Sequence, residues 1–356
     1  MIRVFMRDGK HCFYAVSICL LVLIVYFQYY LIHDVEHGSM LKDLRSRVSY
    51  LNSDTSLFSV ALVIPTTMDL LPYVNFHILL WPSNIAVPVS VTTGEESILS
   101  SYLHLALFPS RVSVSVYSSP DSSFPVNRMR NEAIAKISST HFISLRPLQI
   151  PSNSLFESIY SLPSDLLSNP KVIFIIPEFD LSFISIPCDT WYSCSPRDVS
   201  YTQLSKAEIK SCSTWGACKS RGTTPPNNYL PDEWFSIPPN NHSTPLLCWS
   251  DRSQDVTVMA MKTDVNPSFD ERFEDTGLSL VNWVMSLRYS GCEFRVLSHG
   301  WINVILPYSP RQATGDSLLD GKSISDRSNR KLYFEQKTKF KKQLSLPMCP
   351  TDPIPS

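Results

Sequence analysis

From residue 56 onward the chain alternates short apolar runs with segments whose apolar positions recur at helical spacing. Ser56–Pro65 and Ala86–Thr92 are rich in Val, Ile and Leu and predict strands. Leu70–Trp81 and Glu95–Phe108 predict helices, and Val112–Tyr117 a strand with period-two alternation. In Asn127–Ile137, Met129, Ala133, Ile134 and Ile137 form one apolar face among charged residues, which predicts a helix. His141–Leu145 and Lys171–Pro177 are short and apolar, as strands buried on both faces should be, with a helical pattern at Leu155–Leu167 between them. A strand at Val256–Lys262, a helix at Gly277–Tyr289 and strands at Phe294–Leu297 and Trp301–Leu306 complete the series. Strands alternating with helices argue for an α/β sheet. The stretch 180–250 lacks such periodicity and is rich in Pro, Ser, Asn and Cys. It reads as loops and short elements over one face, either a binding lid or an insertion. A polar linker at 315–330 precedes a helix with a basic face at 331–344, and 346–356 reads as a tail.

The amino-terminal pattern is different. Residues 12–32 are almost unbroken apolar sequence, and about 20 residues span the ~30 Å hydrocarbon core. Arg3, Arg7 and Lys10 precede the run, and Asp34 and Glu36 follow it. Positive charge stays cytosolic, so the pattern predicts a cytoplasmic tail at 1–11, a signal anchor at 12–32, a stem at 33–55 and a luminal domain at 56–345.

Charge and cysteine content narrow the classes. A formal net charge of −1 gives no general electrostatic case for nucleic acid. Cys188, Cys194, Cys212, Cys218, Cys248, Cys292 and Cys349 follow the anchor and predict disulfides, with one thiol left over. Their spacings lack the C-x2-C pattern of a zinc site. Asn241-His242-Ser243 is a glycosylation sequon in a proline-rich stretch.

Six stretches, in order, resemble the LARGE and β-1,4-glucuronyltransferase family of Golgi enzymes that extend the glycan of dystroglycan. Trp81-Pro82 and the following strand resemble that family's tryptophan-glycine-proline turn. Pro125, Val126, Asn127, Arg130, Asn131 and Ala133 keep the pattern of its tyrosine-proline-valine-asparagine segment. Ile175–Asp180 resembles a proline-x-phenylalanine-acid motif. Gly222, Pro225 and Asn227 with Trp234, then Pro267–Phe273 with Gly277, and finally Leu306–Pro310 complete the set. The resemblance implies a GT-A-like, Rossmann-type mixed sheet with flanking helices beyond the transmembrane segment. It implies a single-pass type II Golgi membrane protein, a UDP-sugar donor carrying glucuronic acid or xylose, and a glycoprotein glycan acceptor.

The departures bear on the chemistry. The family's Asp-x-Asp, which seats Mn²⁺ against the donor diphosphate, falls on Leu145-Arg146-Pro147. The histidine before the last motif is missing from Val304–Tyr308, with His299 the nearest; Thr223, Ser279 and Leu280 replace other family residues. No cofactor is evident, although the family leads one to expect Mn²⁺. Two replacements are open. Arg146, with Arg130 and Asn127, could hold the diphosphate as guanidinium clamps do, or Asp180, Asp270 or Asp275 could bind a displaced ion. Asp270 is the family-matched candidate for general base, against a structural ion pair with Arg272. The alternatives to an active transferase are an inactive relative that binds glycan or a partner transferase, and a tethered adhesion domain with no nucleotide site.

Overall fold

The computed structural model describes residues 58–106, 108–119, 124–186, 188, 199, 200, 202–223, 229–250, 255–273, 278–306, 331, 334, 335 and 346–349. These belong to one compact unit, Thr55–Ser356. The expected anchor, the stem, the 315–330 linker, Pro225, Asn227, Asp275, Gly277 and most of the C-terminal helix lie outside the described residues. Among the described residues no helix is long and apolar enough to cross a membrane.

The elements in chain order are β1 (Val60–Val63), β2 (Thr66–Thr67), α1 (Val74–Leu80), β3 (Ile85–Val91), α2 (Glu95–Ala106), β4 (Val112–Ser118), α3 (Val126–Lys136), β5 (His141–Ser144) and β6 (Gln149–Pro151). Then come α4 (Leu155–Tyr160), α5 (Ser164–Ser168), β7 (Val172–Ile175), β8 (Glu178–Ser185), α6 (Lys206–Thr214), β9 (Lys219–Ser220), β10 (Ser243–Pro245), β11 (Val258–Met261), α7 (Leu278–Tyr289), β12 (Glu293–Leu297) and β13 (Ile302–Leu306). The main sheet runs β10-β12-β7-β11-β5-β1-β3, and β3 also pairs with β2 and with β4. β1 is parallel to β3 and β5, and β12 to β7, whereas β11 runs antiparallel to both β5 and β7. The fold is therefore a mixed α/β sheet. A second sheet, β6-β13-β8-β9, packs where the chain leaves β5 and β7.

Burial explains why the central strands were readable. β1, β3, β5 and β7 are buried at every position, while β4 mixes half-buried and exposed positions, its period of two broken at Val114 and Ser115. Pro88 sits inside β3 without costing a ladder bond. The even positions of β3 face β1 and β2, as in the Ile64 N–H to Ala86 O bond of 2.9 Å. Pro88 faces the break between the β1 pairs at 85 and 86 and the β2 pairs at 89 and 90. The single helix expected over 155–167 is two helices, because Pro163 cannot continue α4 and instead precedes α5.

The 180–250 stretch carries more regular structure than its composition suggested. It holds most of β8, together with α6, β9 and β10. α6 opens with a capping box in which Ser205 and Glu208 satisfy each other's backbone N–H groups. Cys212–Cys218 closes this region locally, and Cys248–Cys349 joins positions 101 residues apart. Cys188 is also disulfide-bonded, and Cys292 is a buried free thiol. Residues 346–349 are held fast. Leu346 O accepts two bonds from buried Arg288, and Trp249 donates its backbone N–H to Pro347 O and accepts from the Cys349 N–H.

Candidate functional site

The sheet changes its direction of growth at β1: β3 and β4 lie to one side and β5 to the other. In open α/β sheets the crevice outside the carboxyl ends of the strands at such a switch is where ligands bind. The chain leaving β5 at this crevice is Leu145-Arg146-Pro147-Leu148-Gln149. It forms a tight turn, closed by the Gln149 N–H to Arg146 O bond of 3.0 Å, with proline second. Leu145 and Leu148 are each 1 % exposed, so both leucines belong to the core. The side chains of Leu145 and Pro147 offer no oxygen ligands, and a carboxylate at 145 would be buried.

Arg146 is no exposed loop residue. Its side chain is 13 % exposed and its guanidinium lies 4.0 Å from the Asp255 carboxylate. Its backbone N–H donates to Gln149 Oε1 at 2.8 Å. Gln149 Nε2 in turn donates to Glu178 Oε2 at 3.0 Å and to Thr257 Oγ1 at 3.2 Å. Glu178 Oε1 also accepts from the Thr257 N–H at 3.1 Å. Arg221 approaches Glu178 Oε2 at 3.6 Å and donates from Nε to Asp180 Oδ1 at 2.8 Å. Burial pushes the Asp180 carboxyl up and Arg221 pulls it back. Burial works against the Arg221 charge, but Glu178 and Asp180 outweigh it and raise its pKa.

Arg130 reaches the crevice from α3. Its Nε donates to Ser144 Oγ at 3.0 Å, and one terminal nitrogen donates to Asn127 Oδ1 at 3.0 Å and Ser279 Oγ at 2.9 Å. The guanidinium also stacks over Phe269, 5.1 Å from the ring centre. Burial, and after it the charge of Arg146, lowers its pKa to about 10, so it stays cationic at neutral pH. Asn127 Nδ2 donates to the Asp270 carbonyl at 2.7 Å. The sequence-predicted residues Asn127, Arg130 and Arg146 therefore converge on one end of β5.

Asp270 meets this group through its backbone carbonyl, which accepts from Asn127. Its carboxylate is gripped by Arg272 in a bidentate pair, with Nε at 3.0 and 3.2 Å from the two oxygens and a terminal nitrogen at 2.6 Å. A carboxylate so held has its lone pairs taken up. Asp180 is likewise held by Arg221. Among the described residues no group of three or more His, Cys, Asp or Glu could seat a metal ion. The carboxylates nearest the turn face guanidinium groups, and this donor set does not fit Mn²⁺. His299 stands apart, its Nε2 3.0 Å from the Pro238 carbonyl, and Asn241 is exposed on a loop.

Sequence reasoning did not find Gln149, Glu178, Asp255 or Arg221, which meet across long separations. The Gly222 motif residue has a packing reason. A Cβ there would lie 2.8 Å from Leu230 Cβ and 2.9 Å from the Tyr229 ring. Gly222→Ala is expected to cost about 1–3 kcal/mol through forced repacking, read as a lower urea midpoint at unchanged slope.

No protein-family model matches the chain, and no curated protein matches it in sequence. Solved structures with a similar chain course include S. aureus TarS 1–349 in complex with UDP-GlcNAc, at 8 % identity over 72 % of this chain and 61 % of that one, TM-score 0.41. GalNAc-T7 with UDP, GalNAc and Mn²⁺ is similar at 12 % identity over 71 % of this chain and 45 % of that one, TM-score 0.43. The mannosyltransferase PcManGT from Pyrobaculum calidifontis, in complex with GDP-Man and Mn²⁺, is similar at 9 % identity over 87 % and 80 %, TM-score 0.35. The chain spans less than two thirds of the length of the first two.

Proposed function

We propose that this chain is a glycosyltransferase-type protein of the Golgi lumen, anchored as a type II membrane protein, that binds a UDP-sugar without a divalent ion. The donor diphosphate lies in the crevice at the carboxyl ends of β1 and β5, with Arg146 facing it and Arg130 and Asn127 behind. Glucuronic acid or xylose is the sugar and a glycoprotein glycan the acceptor, as the motif resemblance implies.

The observation that carries this reading is the place of Arg146: a cation in the turn after β5, at the switch point, where the resembling family keeps its metal ligands. A departing nucleoside diphosphate needs positive charge, and guanidinium groups supply it with fixed donors. The Arg146 guanidinium lies 4.0 Å from the Asp255 carboxylate, an anionic contact that a diphosphate would compete for.

A second reading is favoured by the Asp270–Arg272 pair. With the candidate base tied up, the protein binds donor or glycan without turnover, alone or beside a partner transferase. Turnover of UDP-glucuronic acid or UDP-xylose on a glycan acceptor separates the two.

The first test is thermal unfolding of the full-length chain with UDP, with and without Mn²⁺. At a hundredfold excess over Kd, binding to the folded state adds about 2.7 kcal/mol. The expected result is a stabilising shift with UDP alone that disappears in Arg146→Ala. A shift that requires Mn²⁺ refutes the metal-free site, and no shift under either condition removes the nucleotide reading.

A further inference from the structure

A cavity of about 430 Å³ opens at the other end of the small sheet, between the chain entering α4, the start of α6 and the turn before β13. Asn153, Ser154, Ser205, Lys206, His299 and Trp301 are among the residues that line it. β12, which leads into that turn, is separated from β5 by β7 and β11, about 14 Å at the usual strand spacing of ~4.8 Å. The cavity is thus distinct from the Arg146 crevice.

Lys206 is the unusual residue here. It is half-buried, with Nζ 2.8 Å from the Ser298 carbonyl and 4.2 Å above the centre of the Trp234 ring. Trp234 is itself fixed by its indole N–H bond to Leu297 O at 2.8 Å. No ion pair of Lys206 exists among the described residues. The carboxylate on its own helix, Glu208, is committed to the Ser205 N–H at 2.6 Å. Two of the three ammonium protons are left for a ligand. Burial lowers the Lys206 pKa to about 8. Lys206 is also the first residue of α6, where the helix dipole disfavours a cation. The Ser298 hydroxyl beside it is buried with no hydrogen-bond partner. Among the described residues the ammonium is met by a carbonyl and an aromatic face but by no negative charge, and a bound anion would supply one.

The surroundings narrow the anion. One ammonium, with no guanidinium among the lining residues, suits a single negative charge better than a phosphate dianion. Burial lowers the pKa of His299, opposed by its Pro238 contact, so the imidazole adds no second charge at neutral pH. The side-chain amide of Asn153 makes no hydrogen bond among the described residues, and with the Ser154 and Ser205 hydroxyls it forms a wall suited to the hydroxyl groups of a sugar. The volume lies at the small end of ligand clefts, which run ~300–1,000 Å³. We propose that this cavity is a binding site for a saccharide bearing a carboxylate, with the Lys206 ammonium paired to the carboxylate. The site does not depend on the nucleotide reading of the Arg146 crevice.

The test is ligand titration of the full-length chain, followed by NMR, with methyl β-D-glucuronide, the neutral methyl β-D-glucoside and inorganic phosphate. The glucuronide should bind at least ~10-fold more tightly than the glucoside, the factor given by about 1.4 kcal/mol. Lys206→Gln should lose that preference and Lys206→Arg retain most of it. Thermal unfolding of Lys206→Gln and Lys206→Arg without ligand checks that both variants are folded, so loss of binding cannot be put down to misfolding. Equal binding of glucuronide and glucoside, tighter binding of phosphate, no binding of the glucuronide, or unchanged affinity in Lys206→Gln would each overturn the proposal. Lys206→Gln should leave the UDP shift intact and Arg146→Ala the glucuronide affinity, so the two sites fail separately.

Discussion

Between pH 7 and pH 4 the folded chain is expected to lose several kcal/mol of stability through two histidines, His77 and His141. Both are buried, at 0 % and 4 % exposure. Burial lowers each from the usual 6.5 to about 4. At His77 burial is opposed by two carbonyl contacts, Nε2 to Gln149 O at 2.9 Å and Nδ1 to Tyr73 O at 3.2 Å. A neutral imidazole carries one N–H, so only one of these is a donor bond, and the shorter one to Gln149 is the better placed. At His141 the ring sits edge-on to Phe58 and its Nδ1 is 3.0 Å from Thr140 Oγ1. Above pH 6.5 both states are neutral and the histidines are silent. As pH falls from 6.5 toward 4, the unfolded chain takes up protons that the folded chain refuses, so stability falls with pH and levels off below 4. At ~1.4 kcal/mol per pH unit, each histidine accounts for about 3 kcal/mol. That is a large share of a domain's usual ~5–15 kcal/mol. Urea unfolding at pH 7, 5.5 and 4 measures it, and His77→Gln and His141→Gln should each reduce the acid loss by about 3 kcal/mol. Identical acid losses in wild type and both variants would show that neither histidine is held neutral.

Replacing Arg130 by leucine should cost about 3 kcal/mol at neutral pH. The guanidinium is 5 % exposed, and its acceptors Asn127, Ser144 and Ser279 are all buried. Removing it strands buried polar oxygens, at about 1–3 kcal/mol each before side chains rotate to compensate. Relief of the buried charge works the other way, which keeps the net below the sum. Arg130→Lys should fall between, because one ammonium cannot reproduce the fork that reaches Ser144 on β5 and Ser279 on α7 together. Chemical denaturation gives both numbers. An Arg130→Leu protein as stable as wild type would mean that the three hydroxyl and amide groups find other partners.

Legibility followed the range of the interactions. β1, β5 and β7 could be read because a strand buried on both faces is an apolar run. α3 could be read because one face packs on the sheet, with Met129 and Ala133 buried and Arg128 exposed. The three-residue strands β6 and β10 are too short for any periodicity. α6 left one local sign, Ser205 followed three residues later by Glu208, obscured by the Pro-Ser-Cys composition around it. At the candidate site Asn127, Arg130 and Arg146 came from motif positions. Their neighbours did not, since Gln149, Glu178, Arg221 and Asp255 belong together only once β5, β8, β9 and the strand before α7 have assembled. The commitment of Asp270 to Arg272 is a local contact that the sequence raised as the alternative to catalysis.

The fastening of residues 346–349 has a consequence for how the protein is made. Cys248 finds its partner only when Cys349 has emerged, and the loop between them holds β11, α7, β12 and β13. Until then Arg288 lacks the Leu346 carbonyl, and Cys248 is a thiol open to mispairing. A nascent chain interrupted between Leu306 and Cys349 carries every described strand of both sheets yet leaves Cys248 without its disulfide partner. Under oxidising conditions such a fragment is open to mixed disulfides, so the Cys248–Cys349 bond reports that the segment up to Cys349 is in place.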